Sequence, residues 1–175
     1  HASATDMVRY LTLYAQRGSL EGEQLLSAKV IDDLMTPRNT LGPEHPVGDM
    51  ETVEARAVQL KAESYSLGWE ITHYMGKRFV NHGGASMGYQ SFIGILPDEG
   101  FAFAIMANVN DGDNGFVRAI GAHILDAKLG LKKVSWLGRA QEKLKAYEAT
   151  VKAELEGVYA VELSGALPPA PLDVY

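Results

Sequence analysis

The chain has 175 residues, enough for one domain with its own core, and 46% hydrophobic and 22% charged residues are typical of a globular protein. Its net charge of −6 and the lack of a basic stripe argue against a nucleic-acid partner. No apolar run approaches the roughly 20 residues that a membrane span needs. The absence of cysteine excludes disulfides, thiolate zinc sites and cysteine nucleophiles, and it leaves the cellular compartment open.

Two helices are predicted near the beginning of the chain. Ser3-Ala-Thr-Asp6 has the form of a capping box and precedes apolar residues at helical spacing, so a helix should begin there and end near Gly18. A second helix should begin at Ser27 and end before Pro37. Residues 38–63 have no clear period and predict a long surface loop that contains one helical turn.

The next part of the chain predicts an antiparallel meander of four strands. The strands are Tyr65–Tyr74, Phe79–His82, Tyr89–Leu96 and Phe101–Ala107, and Met75-Gly76-Lys77 forms the first tight turn. The last strand is apolar on both faces, which predicts a helix on each side of it.

Helices and a linker are expected after the meander. A stripe of residues at helical spacing predicts a helix that ends at Gly130, and its members are Phe116, Ile120, His123, Ile124 and Ala127. His123 is interpreted as a core histidine. A charged helix follows over Trp136–Glu156, and the proline-rich tail from Ser164 predicts a linker. The fold class predicted is therefore α+β, an antiparallel sheet meander with helices packed against it, followed by a helical linker.

His82-Gly83-Gly84-Ala85 is the most informative stretch. A polar side chain at a strand end, followed by two glycines, suits a strand that lines a cleft. Because Gly83 and Gly84 have no Cβ, a substrate or another backbone can approach this strand closely.

The order of these segments resembles the C-terminal half of the serine β-lactamase-like hydrolases. This family includes class C β-lactamases, D-alanyl-D-alanine carboxypeptidases, D-aminopeptidases and related esterases. The resemblance covers residues 1–135, and residues 136–175 resemble a helical linker that leads to a further, truncated domain, a small lipocalin-like barrel. The matching segments are Ser3–Met7, Leu25–Ser27, Met35–Pro37, Ser66–Trp69, His82–Gly84, Gly88–Ser91, Leu96–Gly100 and Ile105–Asn108.

The resemblance implies a mechanism and roles for the glycine-rich stretch. In the family, a Ser on a Ser-x-x-Lys helix attacks a carbonyl group, and an acyl-enzyme forms and is hydrolysed without a metal or organic cofactor. His82 and Gly84 match the third family motif, which lies on the strand beside the cleft. His82 is then expected to be a catalytic residue that faces the cleft and positions the substrate or tunes the proton relay through its hydrogen bonds. Gly83 and Gly84 are expected against the substrate, and the N–H of Ala85 as the second oxyanion-hole donor.

Each of these assignments has a structural alternative. His82 can instead be a strand-end histidine that is hydrogen-bonded to loop carbonyls. Trp69 is a candidate for the cleft wall, or a core residue, which is the commoner role of a tryptophan. Ser86 is a candidate substrate contact, or a solvated loop residue. The five histidines have no metal-ligand spacing, so no metal site is expected.

The chain departs from the family pattern because none of its nine serines has a lysine three residues later, and it contains no Tyr-x-Asn. We therefore expect a fragment that is inactive alone, whose partners are the missing N-terminal half and a small-molecule or peptide substrate. An exposed sheet edge would also favour self-association. The rival hypothesis is a non-catalytic binding or scaffold protein. The family resemblance is compatible with a periplasmic or secreted parent protein, and a cytoplasmic location stays open.

Overall fold

An antiparallel sheet is the main element of residues 2–44, 53–109 and 115–162, which the computed structural model describes. The helices are α1 (Ala4–Ala15), α2 (Ala28–Leu34), α3 (Val53–Val58), α4 (Gly115–Lys128) and α5 (Trp136–Glu162). The strands are β1 (Ser19–Leu20), β2 (Glu23–Gln24), β3 (Asn39–Thr40), β4 (Ser64–Tyr65), β5 (Glu70–Tyr74), β6 (Lys77–Ser86), β7 (Tyr89–Leu96) and β8 (Phe101–Ala107).

Six of these strands form one sheet in the order β3-β4-β5-β6-β7-β8, and every neighbouring pair is antiparallel. The predicted α+β fold with an antiparallel meander is confirmed. The two-residue turn at Met75-Gly76 has positive φ at both positions, 51° and 77°, which matches the right-handed twist of the flanking strands. Two strand predictions are wrong. Tyr65–Tyr74 is not continuous, because the chain turns between Ser66 and Trp69 and separates β4 from β5. The strand predicted over Phe79–His82 does not end at His82, because β6 continues to pair with β7 as far as Ser86.

Helix α1 begins with the predicted capping box. The Ser3 hydroxyl accepts a hydrogen bond from the Asp6 N–H at 3.2 Å, and the Asp6 carboxylate accepts one from the Ser3 N–H at 2.9 Å. The two bonds satisfy N–H groups that the first helical turn leaves without a helical partner. The hydrogen bonds from Ser3 hold the pKa of Asp6 below its ordinary value.

The core lies in two layers, one on each face of the sheet. Because side chains alternate along a strand, Phe79 and Val80 of β6 are both fully buried but face opposite layers. One layer lies between the sheet and α1 and α2, and its members include Leu11, Tyr14, Ile31, Met35, Trp69, Ile71, Val80 and Ile95. The other layer lies against α4 and includes Tyr74, Phe79, Phe92, Leu96, Phe103, Val117, Ala122 and Leu125. Strand β8 contacts both α1 and α4, as its apolar sequence predicts.

The buried side of α4 differs from the predicted stripe. Its buried residues are Val117, Ala119, Gly121, Ala122, Leu125 and Asp126. Small residues face the sheet here because phenyl rings fill the interface: a Cβ on Gly121 would lie 2.5 Å from the ring of Phe92. His123 is exposed, so its interpretation as a core histidine is wrong.

A buried carboxylate connects four elements on the side of the sheet that packs against α4. Asp126 of α4 accepts hydrogen bonds from Arg56 Nη1 at 2.7 Å, Tyr74 Oη at 2.6 Å and Trp136 Nε1 at 2.6 Å. Arg56 also donates to the carbonyl of Lys132 at 2.8 Å. Burial and the neighbouring carboxylate hold the pKa of Tyr74 above its ordinary value, so the phenol keeps its proton and remains a donor.

Helix α5 begins inside this core, because the Trp136 indole is buried in the layer against α4. The proposed division between residues 135 and 136 therefore falls next to a residue of the domain core, and it stays a prediction. The proline-rich tail and the expected barrel strand at Leu172–Tyr175 lie outside the described residues. Within the described part of the chain, no helix is both long enough and apolar enough to cross a membrane.

Replacing Asp126 with Asn should lower the free energy of unfolding by about 3–5 kcal/mol, because the buried Arg56 would lose its ion pair with the Asp126 carboxylate. Urea unfolding followed by tryptophan fluorescence measures this change. The matched control is Asp98→Asn, which removes a carboxylate from a 3.5 Å surface ion pair with Arg78 and should cost less than about 1 kcal/mol. Equal effects of the two substitutions would contradict the role given to Asp126.

Replacing Asp6 with Asn should lower the melting temperature at neutral pH. The lowered pKa of Asp6 means that its charged form stabilises the fold above the ordinary aspartate pKa, and this contribution disappears as the pH falls through the lowered value. The difference between the two proteins should therefore vanish on acidification. Ser3→Ala is the matched variant: the hydroxyl that it removes does not titrate, so part of its deficit should persist at low pH. A deficit of Asp6→Asn that is independent of pH would contradict this account.

Candidate active site

The end of β6 extends beyond β5 and borders a groove. The pairing of β5 with β6 ends at Glu70–Asn81, whereas β7 continues to pair with β6 as far as Ser86–Tyr89. A groove of about 680 Å³ lies at this end of the sheet. Its described lining residues are Ala2, Gly84, Ala85, Ser86, Tyr89, Gln90, Ser91, Met106, Ala107 and Asn108. Three of the predicted site residues, Gly84, Ala85 and Ser86, therefore meet in one groove.

His82 lies on the same sheet face as Gly84, two residues earlier, and is half-buried. Its Nδ1 is 2.7 Å from the carbonyl oxygen of Gly83, and its Nε2 is 3.1 Å from the hydroxyl of Tyr65. A carbonyl can only accept a hydrogen bond, so Nδ1 carries a proton. In the neutral ring Nε2 then accepts the Tyr65 O–H, and the two contacts fix both the tautomer and the orientation of the imidazole.

The two glycines of the motif face opposite sides of the sheet. Gly83 is paired with Phe92 and faces the layer against α4, whereas Gly84 is paired with Ser91 and faces the other side. Neither has a positive φ, so backbone conformation does not require glycine at either position. A Cβ on Gly84 would approach only the Ser91 hydroxyl, at 2.8 Å, and that group can rotate away. Glycine at position 84 therefore keeps the groove surface open rather than relieving a backbone clash.

The main chain of β6 places Ala85 in the same orientation as Gly83. In a strand, the N–H and C=O of one residue point to the same side, and residues two apart share that side. The ring of His82 lies between the Gly83 carbonyl and Tyr65, so this side of β6 faces β4 and β5. Beyond Asn81, no strand of the described residues pairs with β6 on this side.

Trp69 does not belong to the groove. Its side chain is only 3% exposed, and it packs against Tyr10 and Tyr14 of α1 with ring centroids 6.5 Å and 5.1 Å away. The expectation that it lines the cleft assumed that the strand continued through position 69. Because the chain turns at Ser66–Trp69, the indole is directed into the core instead.

Several groove residues were not identified from the sequence: Tyr89, Ser91, Met106 and Asn108. The two-residue turn at Met87-Gly88, with φ of 37° and 84°, contains the signal for one of them, because such a turn pairs position 84 with position 91. Tyr65 was also missed, and no local pattern identifies it, since its contact with His82 depends on how β4 is placed. Among the described residues, no group of three or more His, Asp or Glu side chains could hold a metal ion.

The Nδ1–H tautomer of His82 can be tested directly. We expect the ¹⁵N spectrum of the neutral imidazole to show a protonated Nδ1 and an unprotonated, hydrogen-bonded Nε2. Tyr65→Phe should change the Nε2 shift and leave Nδ1 protonated, because the Gly83 carbonyl still accepts its proton. An Nε2–H tautomer in the unmodified protein would contradict the geometry.

Comparisons with known proteins agree on one family. The family model described as Beta-lactamase matches residues 1–127. The unguisins hydrolase ungD' of Aspergillus campestris (strain IBT 28561) is 28% identical over 109 residues, which are 61% of this chain and 20% of that protein. The octameric penicillin-binding protein homologue from Pyrococcus abyssi has a similar fold, with a TM-score of 0.56 and 22% identity, over 75% of this chain and 25% of that one.

The chain thus spans about a fifth to a quarter of the length of these two proteins. The match to the family model covers most of the chain and includes the whole of β6, with the glycine-rich stretch, and both neighbouring strands. At the level of the family, the matches support a hydrolase. This chain belongs to the beta-lactamase family.

Proposed function

We propose that this chain is the C-terminal part of a serine hydrolase that cleaves amide or ester bonds through an acyl-enzyme. The observation that carries the proposal is the groove at the end of β6, where Gly84 leaves the surface open and the main chain of Ala85 faces a side on which no described strand pairs with β6. Membership of the beta-lactamase family supports it, as does the similarity to a named hydrolase. The nucleophile, on a Ser-x-x-Lys helix, would come from an N-terminal part of the parent protein.

Ala85 is the proposed second donor of the oxyanion hole. Attack of the serine Oγ on the substrate carbonyl forms a C–O bond and places negative charge on the carbonyl oxygen. An N–H that is already fixed by a strand stabilises this charge without reorganisation. The serine proton passes to a base and then to the leaving group, and water later hydrolyses the ester by the same route in reverse.

His82 is the proposed positioning residue of this strand. Its imidazole holds the Gly83 carbonyl at 2.7 Å and is itself held by Tyr65, so the ring fixes the strand segment that carries Ala85. Gly83 and Gly84 would let the substrate lie against the strand, and the exposed hydroxyl of Ser86 at the groove offers one further contact.

The N-terminal part of the parent protein is the proposed partner of this chain. On the outer side of β8, no strand of the described sheet is present, and the sequence Phe101–Ala107 contains no charged residue or proline that would oppose pairing. The same edge would also allow self-association. That the Pyrococcus abyssi homologue is octameric is consistent with this possibility.

A non-catalytic binding protein is the second candidate function. The observation that favours it is that none of the nine serines in this chain is followed by a lysine at the third position. Labelling of the full-length parent with a fluorophosphonate distinguishes the two candidates. One covalently labelled serine outside these 175 residues supports the enzyme, and a folded, unlabelled parent without esterase activity supports the binding protein.

Replacing Ala85 with Pro in the full-length parent should reduce kcat/KM by about 10²–10³-fold, because proline removes the proposed donor. Proline should be tolerated by the sheet, since this N–H faces away from β7. Ala85→Gly is the matched control: it keeps the N–H and should retain activity within a few-fold. Circular dichroism and the melting temperature check that both variants fold. A folded Ala85→Pro enzyme with undiminished kcat/KM would overturn the assignment.

A further inference from the structure

We propose that the groove at the end of β6 selects an uncharged part of the substrate and rejects one that carries a carboxylate. The inference rests on the proposed function, and it concerns the substrate segment that lies along β6, β7 and β8. Its basis is the distribution of charge on these three strands, together with the residues that line the groove.

Charged side chains are confined to one end of this part of the sheet. Residues 79–96 and 101–109 contain no Asp, Glu, Lys or Arg. The charges of the three strands and their connections lie at the opposite end from the groove, where Lys77 pairs with Glu99 at 2.7 Å and Arg78 with Asp98 at 3.5 Å. No described lining residue of the groove is an acid, a lysine or an arginine.

The polar groups of the groove are neutral and the remaining lining is apolar. Ser86 and Ser91 provide hydroxyl groups, whereas Met106 and the ring of Tyr89 provide exposed apolar surface, 40% and 65% exposed respectively. A carboxylate moved from water into such a groove would lose hydration, and no described lining residue would supply a counter-charge. An alkyl or aryl group of the substrate would instead gain by burial against Met106 and Tyr89.

The N-terminal end of α1, where the helix dipole is positive, does not supply a counter-charge for a substrate carboxylate. Ala2, next to this helix end, lines the groove, and a helix N-terminus favours anions. The Asp6 carboxylate already places a negative charge at this end, where it accepts hydrogen bonds from the N–H and the hydroxyl of Ser3.

The test uses the full-length parent protein and two matched sets of esters. The first set places the charge in the acyl part: p-nitrophenyl hexanoate, the p-nitrophenyl monoester of adipic acid, and its neutral methyl ester. The second places it in the leaving group: phenyl, 3-carboxyphenyl and 3-(methoxycarbonyl)phenyl hexanoate. One of the two sets varies the part of the substrate that contacts the groove. In that set, we expect kcat/KM for the carboxylate ester to be at least tenfold below kcat/KM for both neutral esters.

A cation introduced into the groove should reverse this selectivity. Ser86→Lys and Tyr89→Lys, each tested alone, should raise kcat/KM for the carboxylate ester relative to its neutral methyl ester by about tenfold, and added salt should weaken the gain. Leu137→Lys is the control, since this residue of α5 is 54% exposed and does not line the groove. It adds the same charge and should leave the ratio unchanged.

The outcomes separate the inference from the function on which it rests. Equal rates for charged and neutral esters in both sets, or lysine variants that leave the ratio unchanged, would overturn the uncharged groove while the enzyme remains a hydrolase. A folded parent that hydrolyses no ester and takes no fluorophosphonate label would overturn the proposed function, and the groove's role in substrate selection with it.

Discussion

The buried carboxylate of Asp126 is the constraint on which the arrangement of this chain depends. It is held by a guanidinium, a phenol and an indole from three other elements, α3, β5 and the first turn of α5. A buried charge is costly unless it is paired and fully hydrogen-bonded, so the four elements can dock only in a geometry that satisfies it. Apolar packing alone tolerates small shifts, whereas this network does not.

The Asp126 network also affects the geometry of the groove, because it acts through the strands of the sheet. Tyr74 lies at one end of β5, and the turn at Met75-Gly76 connects it directly to β6. The Asp126 network holds Tyr74 in place, and the turn then sets how β6 pairs with β5. The register of β6 is therefore fixed along its whole length. The same register aligns His82 with Tyr65 and brings Gly84 opposite Ser91. The contacts that stabilise one end of β6 therefore also set the geometry of the proposed site at its other end.

Much of this fold was predictable from local patterns. Two-residue alternation and tight turns identify β6, β7 and β8, and Ser3 with Asp6 identifies the beginning of α1. The errors occur where distant contacts override the local pattern. Trp69 continues an apolar, strand-like run, yet the turn before it leads the indole to α1. His123 lies on a plausible helical stripe, but α4 turns its small residues towards the phenyl rings of the sheet.

The candidate site was predicted only in part, for a similar reason. The sequence identifies the strand that borders the groove through His82 and the two glycines after it, although these residues lie within β6 and not at its end. It does not identify Tyr65, whose contact with His82 exists only after β4 has joined the sheet. Met106 and Asn108 were missed because their place in the groove depends on the register between β7 and β8. The pairing between strands determines which residues of neighbouring strands enter the site. The sequence of one segment alone does not determine that pairing.

The hairpin tip at Met87-Gly88 suggests how this scaffold can diversify. Met87 is 96% exposed, and the strand pairing below the tip, rather than the tip itself, holds β6 against β7. Residues inserted at this point would lengthen one wall of the groove without moving the imidazole four ladder positions away. A homologue with a longer loop here would have a different groove wall on the same strand pairing.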